Sequence, residues 1–224
     1  TFGEARTSYY HNSVGGYHAA KMRRYSDFYD SCLVAQTEQF VGQANQGHVS
    51  FADLPAFNML NIKYVVIGPQ RENVLPNPDT FGNAWFVQEV YRTGSPVAEL
   101  ERTCAVNTRV AAVIDTSKFQ VGNISGDSSA TIKLVEYNEN HLKYESQSST
   151  PGLAVFSEIY YPGWEATIDE KEANVIRADY ILRALEIPAG THSIIFSFRP
   201  KAYTVGNKVT TASSWLAGQW KSAS

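Results

Sequence analysis

Between residues 129 and 199 short apolar runs alternate with turn signals, and that spacing constrains the fold more than any other feature of the chain. Residues 131–137 and 141–148 flank Asn138-Glu139-Asn140, as two strands flank a hairpin loop. Residues 153–161 are apolar on both faces, which suits a strand in the middle of a sheet. Pro162-Gly163 fits a type II turn, with Gly163 supplying the positive φ. Residues 164–168 form a further strand, followed by a turn at Asp169-Glu170-Lys171. Residues 180–187 and 192–199 flank Pro188-Ala189-Gly190 and suggest a second hairpin. Ile194, Phe196 and Phe198 alternate with Ser193, Ile195 and Ser197, the period of a half-buried strand. Such strands build an antiparallel β-sandwich.

Upstream the period changes. Met22, Tyr25, Tyr29, Cys32 and Leu33 fall at helical spacing and predict a helix over residues 17–40. Tyr17, Lys21, Arg24 and Phe28 fall on a neighbouring face. Gly42 to Gly47 should break it, and residues 50–60 form a shorter helix with Ser50 as N-cap and Asp53 inside its first turn. Residues 63–68 look like a buried strand, 84–91 and 109–114 like two more, and 96–102 like a helix opened by Pro96. The expected fold is α+β: an N-terminal helical segment and a small α/β layer, followed by an antiparallel β-sandwich. Boundaries are expected near 62, in the Gly/Ser/Asp-rich stretch 122–129, and near 205, with 206–224 as a tail.

The chain has 224 residues, enough for a sizeable core, and a net charge of −3, which exerts no general pull on nucleic acid. It holds no run of about 18 apolar residues. It begins in mid-pattern, as an excised part of a longer protein would. Cys32 and Cys104 are too few for a disulfide scaffold or a four-ligand zinc site. One bridge could join them in an oxidising compartment, but their distance in sequence favours two free, buried thiols. The five histidines lack metal-ligand spacing, and no phosphate loop, nucleophile elbow or dinucleotide fingerprint occurs. The sequence therefore implies no catalytic residue, metal or cofactor.

Five blocks carry a resemblance. They are His11 to Lys21 (HNSVGGYHAAK), Asn58 to Tyr64 (NMLNIKY), Gly82 to Phe86 (GNAWF), Gly152 to Trp164 (GLAVFSEIYYPGW), and Arg177 to Leu185 (RADYILRAL) with Pro188 to His192 (PAGTH). From about residue 4 to 207 the chain resembles the soluble region of YfhO-like membrane proteins of Bacteroides-type bacteria. The resemblance implies an extracytoplasmic, periplasmic domain carried by a polytopic chain. Its membrane helices would be the domain's partners, and the tail would lead toward one of them. Some members resemble transferases that take sugar from a polyprenyl phosphate, with the catalytic acid among the membrane helices. The soluble part would then dock a glycan acceptor or the lipid-phosphate-sugar donor without catalysing anything alone. Its rivals are a carbohydrate-binding or protein-interaction module and a purely structural domain. Members often carry Gly after Asp in the turn at Asp169; Glu170 here implies a different turn type.

Two clusters could serve such docking. Tyr9, Tyr10, His11, Tyr17, His18, Lys21, Arg23 and Arg24 combine cations with extra donors, as phosphate recognition requires. The competing reading is a solvated helix face with a Tyr-lined edge. In residues 157–164, Glu158 could accept hydroxyl hydrogen bonds while Tyr160 or Trp164 stacks on a sugar. The competing reading puts Tyr161 and Trp164 in the core and pairs Glu158 with Arg177 or Arg183. Nothing in the spacing singles out Glu158 with Asp169 or Asp179 as the carboxyl pair of a hydrolase.

Overall fold

The structure, a computed structural model, describes residues 13–14 and 22–200. Arg23–Phe28, Tyr29–Leu33 and Val34–Asn45 run on as one helix, α1, whose middle segment is a π-turn. Met22 is extended, so α1 starts at Arg23; residues 17–21 of the expected helix lie outside the described residues. Phe28 is fully buried, contrary to its expected place beside the stripe, while Met22, Tyr25 and Tyr29 are only half-buried. The π-turn explains the shift, because its wider turn moves the buried face out of the 3.6-residue phase. Gly42 stays helical. Gly47 ends the helix at φ +74°, with its N–H bonded to Ala44 O and that of His48 to Gln43 O, a Schellman closure.

The second helix is split. Phe51–Asp53 is a 3-10 turn, and α2 spans Pro55–Met59. Leu54 leaves helical geometry because the proline after it disfavours that geometry, and Ser50 does not cap. Strands β1 (Tyr64–Val66) and β2 (Val74–Pro76) form an antiparallel ribbon of two strands. The expected buried strand is therefore exposed on one side. Val65 and Leu75 pack on the core, but Tyr64 and Val66 are 64% and 60% exposed.

The strand expected over 84–91 is two. β3 (Ala84–Phe86) joins the sandwich, and β4 (Glu89–Thr93) pairs in parallel with β5 (Ala111–Asp115). Between β4 and β5 runs α3 (Pro96–Ala105), capped by the Ser95 hydroxyl, which accepts from the Ala98 N–H. This β-α-β unit is the expected α/β layer.

Eight strands follow: β6 (Thr131–Asn138), β7 (His141–Ser148), β8 (Gly152–Ile159), β9 (Trp164–Ile168), β10 (Lys171–Ala173), β11 (Ile176–Ala178), β12 (Leu182–Ile187) and β13 (Gly190–Phe198). They build sheets in the orders β10-β9-β13-β7-β6 and β11-β12-β8-β3. Tyr144, Phe156, Leu185, Ile194 and Phe196 fill the space between them. On the other face of the smaller sheet, Leu153, Val155, Ile176, Leu182 and Ala184 pack with Phe28, Leu33, Phe57 and Met59 from the helices. That double covering is why β8 is apolar on both faces. β6 and β7 form the expected hairpin. β12 and β13 do not, since they belong to different sheets. Residues 188–190 turn a corner between sheets, because doubly buried β12 and alternating β13 need different neighbours.

Two further expectations are corrected. Asp169 and Glu170 both have positive φ, +48° and +68°, so Glu170 does adopt the geometry that favours Gly. The turn is held from β13. Asp169 Oδ1 accepts from Ser193 N–H at 2.9 Å, and Asp169 N–H donates to Ser193 O at 2.9 Å. Cys32 and Cys104 are not free but bonded to each other, with Cα atoms 5.2 Å apart. The bridge ties the π-turn of α1 to α3 across 72 positions of sequence, a proximity no local pattern reveals.

Candidate functional site

Tyr160 and Trp164, proposed together from sequence, separate in space. Glu158, near the end of β8, meets Arg183 of β12: Oε2 accepts from Nη2 at 3.0 Å. Arg183 is 2% exposed, and its guanidinium lies 4.1 Å from the Trp164 ring centroid and 5.1 Å from that of Phe196. Phe198 continues the row, 5.3 Å from Trp164 and 6.2 Å from half-exposed Tyr161. The sandwich thus ends in an aromatic lip with a partly exposed carboxylate behind it. Burial pushes the Glu158 carboxyl above its usual range, and Arg183 pulls it only part of the way back. Arg183 Nε and Nη1 and the Tyr144 hydroxyl are buried there without partners. Such a lip can stack on the apolar face of a sugar while Glu158 accepts a hydroxyl.

Tyr160 belongs elsewhere. Its ring meets Phe119 edge-on at 5.5 Å and lies 5.9 Å from the Arg177 guanidinium. There stands an ion cluster that sequence reasoning missed as a site. Glu99 of α3 is fully buried, and its Oε2 accepts from Arg177 Nη2 at 3.1 Å and from Arg24 Nη1 at 3.2 Å. Asp115, also fully buried, stands 4.0 Å from Arg177. Asp179 Oδ1 accepts the Val113 N–H at 2.8 Å, and burial pushes this carboxyl up to about 8. Burial raises Glu99 as well, opposed by Arg177 and Arg24. The only prior signal was Arg177-Ala-Asp179-Tyr180 within a resemblance block; Glu99, set among Val97, Ala98 and Leu100, gave none.

Arg24 therefore serves this cluster, with its guanidinium also 4.4 Å from the Tyr180 ring centroid. Tyr17, His18 and Lys21, like Tyr9, Tyr10 and His11, lie outside the described residues. The two carboxylates weighed beside Glu158 are engaged: Asp169 with His192 at 2.6 Å, and Asp179 with Val113. A hollow of about 640 Å³ opens beside Tyr180, lined by Asp27, Asp30, Val97 and Glu101 among others. Among the described residues no group of three or more His, Cys, Asp and Glu side chains could hold a metal.

Fold and site together define a mixed α+β domain with a β-rich C-terminal part and an aromatic-lipped sandwich end. Among the described residues no helix is long and apolar enough to cross a membrane. Residues 114–210, a little under half of the chain, match the family described as bacterial membrane protein YfhO, so the stretch that carries β6 to β13 is similar to that family. The blocks at 152–164, 177–185 and 188–192 fall inside that match, and those at 11–21, 58–64 and 82–86 lie outside it. No curated protein and no solved structure matches the chain.

Proposed function

We propose that this chain is the extracytoplasmic accessory domain of a YfhO-like polytopic membrane protein, and that it docks glycan acceptor or lipid-phosphate-sugar donor for transfer catalysed elsewhere in the parent. The observation that carries the reading is the lip of Tyr161, Phe198 and Trp164 beside Glu158, set in the YfhO-like stretch. The Cys32–Cys104 bridge supports an extracytoplasmic location, since disulfides persist in oxidising compartments. Lipid phosphate would have to engage the cations of residues 17–24 not already committed to Glu99. A second reading, a purely structural domain, is favoured by the Glu158–Arg183 pair, which already occupies the carboxylate.

Binding of the chain to a glycan array and to a soluble polyprenyl-phosphate analogue tests this. A glycan ligand lost in Tyr161→Ala and Glu158→Gln, with melting unchanged, would establish acceptor docking. An analogue lost in Lys21→Ala would establish donor docking. No ligand in either assay leaves the structural reading standing and overturns the docking one.

A further inference from the structure

A β-ribbon at a protein surface normally presents one apolar face inward and one polar face to water. The β1–β2 ribbon is apolar on both. Val65 and Leu75, paired across the ladder, pack inward on the core. The outward pairs are Tyr64 with Pro76 and Val66 with Val74, and both valines and the tyrosine are exposed. Ile67, at the start of the turn, adds a further apolar side chain at 54% exposure. The base of the ribbon is firmly held. Asn77 donates through Nδ2 to Asn58 Oδ1 and Ile62 O, both at 2.9 Å, and through its backbone N–H to Lys63 O at 2.8 Å. The apolar face is thus presented by a braced element.

Its flanks are cationic. Lys63 and Arg71 are exposed and make no ion pair among the described residues. Glu72 is the one acid within residues 63–76, in a chain whose net charge is −3. An apolar strip with a tyrosine at its base and basic side chains beside it matches the order of an anionic bilayer surface, where rings settle at the headgroups and cations meet lipid phosphate. A second copy of the chain fits less well. Strands of three residues offer far less than the roughly 800 Å² per partner of a stable protein interface.

We propose that the outer face of β1–β2 docks on the anionic lipid surface beside the parent's membrane helices. The proposal rests on the membrane-linked reading above and adds the face by which the domain sits on the bilayer. A tether supplied by the parent chain would raise the effective concentration of a weak contact.

Flotation of the chain with vesicles of equal parts phosphatidylglycerol and phosphatidylcholine tests it, with pure phosphatidylcholine as comparison. The chain should float with the mixed vesicles and less with the neutral ones. Val66→Ser/Val74→Ser should lower partitioning about tenfold. Lys63→Gln/Arg71→Gln should remove the preference for anionic lipid. These exposed positions should leave melting and any glycan binding unchanged, so vesicle binding and glycan docking can fail separately. No flotation, or equal flotation of Val66→Ser/Val74→Ser, overturns the proposal. So does a dimer that Val66→Ser/Val74→Ser dissolves, which would identify a second copy as the occupant.

Discussion

Arg177 and Arg183 stand directly opposite each other on β11 and β12, and each reaches a different glutamate. Like charges so placed repel unless each is drawn to its own counter-charge. Arg177 enters a closed cluster, with two wholly buried acids, Glu99 and Asp115, and a second guanidinium from Arg24. Arg183 enters an open one, where its single partner Glu158 keeps 26% of its side chain exposed and aromatic rings cover the rest of the guanidinium. The chemistry is the same in both; the access of water to the carboxylate differs. In the closed cluster an unpaired acid has nowhere to go. In the open one it can turn to solvent.

Removing one partner should therefore have unequal cost. Arg177→Met leaves buried Asp115 without a counter-charge and Glu99 with Arg24 alone, and should lower stability by about 3–5 kcal/mol, measured by urea unfolding at pH 7. A cost under about 1 kcal/mol would mean that the closed cluster is open after all. The disulfide comes next. Cys32 and Cys104 join α1, which brings Arg24, to α3, which brings Glu99. Cys32→Ser/Cys104→Ser should cost about 2–4 kcal/mol by thermal melting, and hydrogen exchange should rise in α1 and α3 before it rises in β12.

Asp179 gives the closed cluster a pH dependence. Its folded carboxyl holds a proton up to about pH 8, whereas an unfolded one releases it near pH 4. Its protonated form therefore stabilises the native state fully below about pH 4, and that contribution is lost as pH rises through about 8. Glu99, raised by the same burial, acts in the same sense. Asp179→Asn removes the ionisation and keeps an oxygen for the Val113 N–H, and asparagine tolerates the φ of +50° found here. The variant should be more stable than the parent by about 1–3 kcal/mol at pH 8 and nearly equal at pH 4. Parallel curves over that range would show that Asp179 is ionised throughout.

The contrast between the clusters also marks what sequence could and could not disclose. Period and turn chemistry are local, so the β6–β7 hairpin, the central place of β8 and the β-α-β unit were legible. So was Arg183 as one of two possible partners for Glu158, because both strands lie in one sheet. The closed cluster draws on α1, α3, β5 and β11, and nothing local links Glu99 to Arg177 across 78 positions. The disulfide was hidden for the same reason. The β12–β13 corner was misread as a hairpin because a tight turn signal is alike whether the chain stays in its sheet or changes sheets. The phase of α1 slipped because a π-turn leaves no mark in apolar spacing.

The smallest effect bears most directly on function. Arg183→Met replaces a buried guanidinium by a shorter apolar chain, on the side of Trp164 and Phe196, whose rings suit a thioether as well as a cation. It also removes the unpartnered Nε and Nη1 atoms. Glu158 loses its counter-charge but not its access to water, so the net cost should be about 0–1 kcal/mol by urea unfolding, against several for Arg177→Met. The carboxyl of Glu158, already raised by burial, should rise further without Arg183, which an NMR titration would register. If glycan binding then strengthens, Glu158 is the group that meets ligand, and Arg183 restrains it in the free domain. If stability falls as far as in Arg177→Met, the open pair is a structural brace like the closed cluster, and the lip loses its distinguishing feature.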